Sequence, residues 1–310
     1  MCSSDLRFFL GLPIEKSQAD ALLNQLARHW QADFDALCEL VALAAVVYLD
    51  ETSWKIHTDN CSLWALQSPL HTVLKFGCRK DDATLDKLLP PDVFAGIAVS
   101  DDAAVYRGRF TQAQKCWAHL LRKAIQFTLL YPEKRHYITF LDDLLTVYRE
   151  AKSAQQDGRL SDAGRQRAVE RLETRIWDVA APHQKIWESP STPDERDFAN
   201  LVQELFRLVA TNELFTFVRH PEVEPTNNVS ERELRGPALC RKTGRTNKTP
   251  RGAHRQSVIT SVLRTVQKQL PSFTLSDVVS EVLSWSQRGL SRFREQLLAA
   301  RAALKLADTG

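Results

Sequence analysis

Three acidic residues stand out by where they fall in the chain. Asp50 ends the apolar, β-branched run Val46-Val47-Tyr48-Leu49, Asp101 ends a second run from Gly96 to Ser100, and Glu231 lies on the first turn after Asn227-Asn228. Brought together, three carboxylates can hold Mg²⁺, a hard cation that takes carboxylate and water oxygens. Two such ions about 3.5–4 Å apart would activate a hydroxyl nucleophile and stabilise the leaving oxygen of a phosphodiester in an in-line displacement. A single aspartate after a strand is also a common turn or cap residue, so position alone leaves both roles open.

Cys116 and His119 are three apart in Cys116-Trp117-Ala118-His119, which is half of a zinc site by spacing. No second Cys/His pair with suitable spacing follows. The remaining readings are a helical histidine that meets a phosphate, and a packed helix with Trp117 in the core. From Glu231 to Gln256 there are eight basic residues (Arg232, Arg235, Arg241, Lys242, Arg245, Lys248, Arg251, Arg255) against two acids, an excess of 8 − 2 = 6. Gly244, Pro250 and Gly252 mark part of this stretch as loop. A polyanion suits such a segment, and so does a plain solvated basic face. Trp54 and Trp64 read as sheet core rather than as platforms for stacking bases.

The elements that must position these residues follow from periodicity. Ser17 and Asp20 suggest a capping box opening a helix with Leu22, Leu23, Leu26, Trp30, Phe34 and Leu37 on its apolar positions, so the first 44 residues or so are expected to be helical. Strands are expected at Val46–Leu49, Ser62–Leu66, Thr72–Phe76 and Gly96–Ser100, the earlier ones as an antiparallel meander, with a short helix from Asp82 to Leu89. From Gln112 to Asn212 the sequence is helix-compatible throughout and is read as a helical insertion. Further helices are expected from His254 to Leu270 and from Leu275 towards Ala303. The expected organisation is a helical lead over 1–44, the first part of a core over 45–111, the insertion over 112–222, completion of the core with the basic loop over 223–270, and carboxy-terminal helices over 271–310.

Composition bounds the class. With 310 residues, 44% hydrophobic and 25% charged, the chain is of ordinary globular make-up and long enough for one or two domains. Its longest apolar stretch, Leu40 to Leu49, is too short to span a bilayer. Met1 to Leu12 does not read as a secretory signal, so the cytoplasm is the expected compartment. Six cysteines without a CxxC argue against a disulfide framework and against a four-cysteine zinc site. The net charge of +3 says little about partners.

Several ordered strings carry a resemblance. Leu49-Asp50-Glu51-Thr52 with Leu63-Trp64-Ala65-Leu66, Ser100-Asp101-Asp102-Ala103-Ala104-Val105-Tyr106, Cys116 to Lys123 (CWAHLLRK) and Asn227 to Arg235 (NNVSERELR) resemble the IS66-type transposases in order and spacing. Arg241-Lys242, Gly252-Ala253 and Ser261 to Thr265 continue the likeness, which runs from about Gly11 to the 270s.

The resemblance implies an α/β, RNase H-like mixed-sheet core with a large helical insertion and a DDE triad, acting in DNA transposition and recombination as part of an insertion sequence. Asp50 is the first aspartate, Asp101 the second and Glu231 the glutamate, with Asp102 a rival for Asp101. The separations are 101 − 50 = 51 and 231 − 101 = 130 residues. These acids would bind Mg²⁺ or Mn²⁺, as two ions, for strand cleavage and then strand transfer by the freed 3′-hydroxyl. His119, Arg122, Lys123, Arg232, Arg235, Arg241, Lys242 and Arg245 are the candidate DNA contacts. The partners implied are transposon ends and target DNA, further copies of the chain, and proteins from the same element, with no membrane. Family members carry an amino-terminal region ahead of the core, with a multimerisation segment, a DNA-binding portion and a zinc-binding cysteine cluster. This chain opens just before Gly11-Leu12-Pro13, so the expectation is a core lacking that region. A DNA-binding remnant without activity and a nuclease that hydrolyses without joining are the alternatives.

Overall fold

The computed structural model describes residues 15–269 and 274–289, with 294, 295, 299 and 302. Cys2, Gly11-Leu12-Pro13 and most of the helix expected beyond Gly289 towards Ala303 lie outside the described residues. The fold is mixed α/β with an open sheet of five strands in the order β3-β2-β1-β4-β5, where β1 is Val46–Ile56, β2 Asp59–Gln67, β3 Thr72–Cys78, β4 Ile97–Ser100 and β5 Gln112–Lys115. Contacts divide the chain into two compact units, one of Met1–Ala45, Asp50–Phe94 and Arg232–Gly310, the other of Val46–Leu49 and Ala95–Glu231. The chain passes between them four times, at Ala45/Val46, at Leu49/Asp50 within β1, at Phe94/Ala95, and at Glu231/Arg232 within the helix Asn228–Lys242.

In the first unit, β2 and β3 pair antiparallel, Leu63 opposite Phe76 and Ala65 opposite Leu74. Their apolar face, with Trp54 and Ile56 of β1, packs against Leu234 and Ala253. Trp54 and Trp64 are both buried, and each indole N–H is satisfied, by Asn247 Oδ1 at 2.8 Å and by the Arg79 carbonyl at 2.9 Å. The opening helix, Lys16–His29, is capped at Glu15, whose N–H donates to Gln18 Oε1 at 2.9 Å. The cap therefore lies two residues before the Ser17 and Asp20 expected from sequence, because both of those residues are already helical.

The far edge of β3 is sealed by the helix Pro250–Gln269. The backbone N–H groups of Thr72, Leu74 and Phe76 donate to Thr265 Oγ1, Ser261 Oγ and Ser257 Oγ at 3.0, 2.9 and 3.0 Å. The match is geometric. Two residues along a strand advance about 6.7 Å and four along a helix about 6 Å, so hydroxyls at every fourth position meet the N–H groups of alternate strand residues. An open edge would expose unpaired donors, and here side chains pair them. Gly77, at φ +78°, allows the close approach, since a Cβ there would run into Ile56 and press on Ala253.

In the second unit, Val46, Val47 and Tyr48 pair in parallel with Ile97, Ala98 and Val99, and β4 pairs in parallel with β5. Four long helices, Trp117–Leu130, Arg135–Gln156, Asp162–Ala180 and Pro193–Ala210, share one apolar core with Val46, Tyr48, Ile97 and Val99. Two of them open on ordinary hydroxyl caps, Ser161 and Thr192, the latter in a capping box with Glu195. Gln112–Lys115 is a strand, where the sequence suggests helix. Tertiary bonds override its propensity: Gln114 is fully buried and spans to the Leu214 carbonyl (3.1 Å) and the Phe217 N–H (3.0 Å).

Candidate functional site

Parallel strands deliver their carboxyl ends to one edge, where α/β folds bind ligands. In the second unit, β4 ends at Ser100 and continues into a loop carrying both rival aspartates. Asp101 closes a local turn, its Oδ1 accepting the Ala103 N–H at 3.0 Å. Asp102 is committed elsewhere. Its Oδ2 accepts from Arg107 Nη2 at 2.7 Å and Arg207 Nη2 at 2.5 Å, and the side chain is 8% exposed. Arg207 sits on the helix Pro193–Ala210, so Asp102 ties the loop to that helix.

The two aspartates line a cavity of about 240 Å³ shared with Lys115, Cys116, His119 and Glu204. Lys115 is a functional candidate that the sequence did not reveal. Its Nζ donates to Ser100 Oγ at 3.1 Å and the side chain is 1% exposed. Burial pulls its pKa below the usual lysine range, against the pull of Glu213, Asp102 and Asp101, which favour the charged form. A lysine in a strand of polar residues offers no apolar pattern from which burial could be read.

Glu231 is built from the other side. Asn227 is fully buried and caps this turn, with Glu231 N–H on its carbonyl at 3.1 Å. The Asn227 side chain donates to the Leu49 carbonyl at 2.5 Å, and its backbone N–H donates to Cys116 Sγ at 3.1 Å. Nearby, the Glu224 N–H donates to Tyr48 Oη at 3.0 Å and the Trp117 N–H to the Pro225 carbonyl at 3.0 Å. The segment before Glu231 is thus fixed to the last residues of the β1 run and to the first turn of the Trp117–Leu130 helix. Glu231 Oε1 lies 3.7 Å from His119 Nε2 and 3.9 Å from Arg122 Nη2. Among the described residues, Glu231 Oε1, His119 Nδ1, Asn227 Oδ1, Ser230 Oγ and Asp102 Oδ1 are buried atoms with no hydrogen-bond partner. Buried polar atoms are usually satisfied, so their concentration here is a mark of a site that completes itself with something else.

Cys116 caps the same helix, and ligand atoms of Cys116, His119 and Glu231 all lie within 4.8 Å of one another. Burial raises the Cys116 thiol pKa, while N–H groups of Asn227, His119 and Ala118 directed at the sulfur work against that rise. The third member of this group, Glu231, lies 231 − 119 = 112 positions beyond His119, and no local pattern links the two.

The remaining predicted residues divide. Asp50 belongs to the first unit; its Oδ1 accepts the Glu51 N–H at 2.8 Å. Arg232, Arg235, Lys242 and Arg245 are exposed. Arg241 instead buttresses β1, donating to the Ser53 carbonyl at 2.9 Å and to the Thr52 and Ser53 hydroxyls. Lys123 is paired with Glu204 at 2.5 Å. No described helix is long and apolar enough to cross a membrane.

A family model described as "Transposase IS66 family" matches residues 4–255. No curated protein and no solved structure matches the chain.

Proposed function

Because the chain belongs to the IS66 transposase family, we propose that it is a DDE-type catalytic core on an RNase H-like fold, which cuts and joins DNA strands through Asp50, Asp101 and Glu231. The observation that carries this reading is one of register. β1 pairs on β4 with an offset of 97 − 46 = 51 residues, which equals the Asp50-to-Asp101 separation, 101 − 50 = 51. The pairing runs from Val46 and Ile97 to Tyr48 and Val99, and each aspartate follows the last paired residue of its run by two. The Asn227 side chain, one helical turn ahead of Glu231, grips the carbonyl of Leu49, the residue before Asp50.

The donor set suits a hard divalent ion. Carboxylate oxygens are its preferred ligands, and Glu231 Oε1 is a buried oxygen with no hydrogen-bond partner among the described residues. Asp101 is the better second acid, because both arginines already occupy Asp102. When bound, Mg²⁺ or Mn²⁺ supplies an activated oxygen nucleophile and stabilises the leaving oxygen. The chain's own residues supply position and charge. Asp50, Asp101 and Glu231 would hold the ions, and His119 and Arg122 would present donors beside Glu231 for a phosphate oxygen. The exposed Arg232, Arg235, Lys242 and Arg245 take the flanking backbone phosphates, where they set affinity without reading sequence. Assembly on paired DNA ends with further copies of the chain belongs to the same reading, as does a place in the cytoplasm.

The test is nicking and joining of supercoiled plasmid with Mg²⁺ or Mn²⁺, beside Asp50→Asn and Glu231→Gln. Activity in the parent that both substitutions abolish supports the triad. Nicked but never joined products would replace it with the nuclease reading, and salt-sensitive DNA binding without cleavage would replace it with the binding remnant.

A further inference from the structure

We propose that Cys116, His119 and Glu231 form a second kind of metal site, one for a soft or borderline divalent ion such as Zn²⁺, overlapping the carboxylate site at Glu231. The three ligand atoms lie within 4.8 Å of one another, and His119 Nε2 is 3.7 Å from Glu231 Oε1. Ligands on tetrahedral zinc, at about 2.0–2.3 Å from the ion, stand roughly 3.3–3.6 Å apart, so closure needs side-chain movements of about 1 Å. Two of the three ligands are on the first turn of one helix, where Cys116 is the cap and His119 follows by three. Such i, i+3 neighbours face the same way.

Backbone donors are directed at the sulfur, where they would stabilise a metal-bound thiolate. The Asn227 N–H donates to Cys116 Sγ at 3.1 Å, and the sulfur sits at the amino end of a helix of 14 residues, where the backbone dipoles favour negative charge. Cys116 gives up its S–H proton to solvent as the metal–sulfur bond forms, and the N–H donors take over part of the charge. Three protein ligands leave a fourth position for water, the pattern of an open zinc site. Softness separates this ion from the one proposed above: thiolate and imidazole select zinc-like ions, whereas Mg²⁺ takes oxygen. If Glu231 also serves the carboxylate triad, which rests on the functional reading above, a zinc-like ion would withdraw it.

Cobalt(II) reports the site by spectroscopy, independently of any DNA cleavage, so failure of the triad and failure of this site are distinguishable. Titration of the purified full chain with Co²⁺ is expected to give a near-ultraviolet sulfur-to-cobalt band together with visible bands of a four-coordinate ion, and Zn²⁺ should displace both. Cys116→Ser should remove the sulfur band, and Glu231→Gln and His119→Gln should each weaken Co²⁺ affinity about tenfold or more. The second pair keeps the test decisive if Cys116→Ser fails to fold. An unchanged sulfur band in folded Cys116→Ser would assign the signal to another cysteine and overturn the proposal. So would unchanged affinity in both Glu231→Gln and His119→Gln, or no sulfur band in the parent.

Discussion

Two regions bury clusters of polar side chains and finish them in opposite ways. Along β3, Ser257, Ser261 and Thr265 are buried and each accepts from a strand N–H, and Ser261 and Thr265 also donate to the strand carbonyls of Leu74 and Thr72. Around Glu231 and Asp102, buried oxygens and nitrogens have no hydrogen-bond partner among the described residues. A satisfied array holds the fold together, because each group exchanges water for a partner of equal quality. An unsatisfied one costs stability and is retained where something else completes it. Burial alone does not separate scaffold from site; the hydroxyls of Ser257, Ser261 and Thr265 are paired with the strand, and the atoms gathered around Glu231 are not.

The contrast is broken most sharply by substitution at the unsaturated cluster. Glu231→Gln is expected to lower metal-dependent plasmid nicking by on the order of 100-fold or more, with circular dichroism and thermal midpoint little changed, since the carboxylate meets its neighbours only at 3.7–3.9 Å. Asp101→Asn should behave alike, whereas Asp102→Asn should lose stability first. Removing its charge releases Arg107 and Arg207, and a denaturation midpoint measured beside activity per folded molecule separates the two effects.

At the saturated cluster the effects reverse. Ser261→Val leaves the Leu74 N–H buried without an acceptor, which costs roughly 1–3 kcal/mol in urea unfolding, while nicking per folded molecule stays at the parent level. A smaller effect is expected from the exposed arginines. Arg232→Ala with Arg235→Ala should weaken DNA binding across sequences and reduce the slope of log affinity against log salt by about two, close to one per phosphate contact.

The last effect is a slope with pH. Lys268 is exposed along its length, but its ammonium end lies against the sheet, donating to Gln67 Oε1 at 2.6 Å and to the Ser68 carbonyl at 3.1 Å, and desolvation there lowers its pKa to about 8. Above that value the folded chain releases this proton before the unfolded chain does, so stability rises with pH from about 8 towards the ordinary lysine range near 10.4. His71, lowered to about 4 by burial, contributes the same sign between about 4 and 6.5. Unfolding free energies of the parent and of Lys268→Met at pH 8 and pH 10 check the first slope, which the substitution should flatten.

What could be read from sequence follows the same division. The start of β1 and all of β4 are legible as apolar, β-branched runs that stop at an aspartate, but β1 continues beyond Leu49 through Asp50 to Ile56, where the apolar pattern gives no sign of strand; Trp54 and Trp64 are legible as sheet core because they are aromatic residues between turns. The β3 seal was not legible, since hydroxyls at every fourth helical position resemble a solvent-facing stripe until a strand edge is set against them. β5 was missed for a related reason: Gln112-Ala113-Gln114-Lys115 has no apolar run, and its burial depends on bonds to residues some 100 positions away. Asp101 follows the end of β4 and Glu231 lies on a first helical turn, as read from the motifs, whereas Asp50 lies inside β1, which runs on to Ile56; Lys115, Arg207 and the joining of Glu231 to Cys116 and His119 are products of tertiary folding.

The central claim is that Glu231 works with Asp50 and Asp101 in the chemistry, and plasmid nicking by the parent beside Glu231→Gln, in Mg²⁺ or Mn²⁺ and with both proteins shown to be folded, tests it most directly. The account predicts cleavage that depends on the added ion in the parent and falls to background in Glu231→Gln. Equal cleavage by the two folded proteins would contradict it.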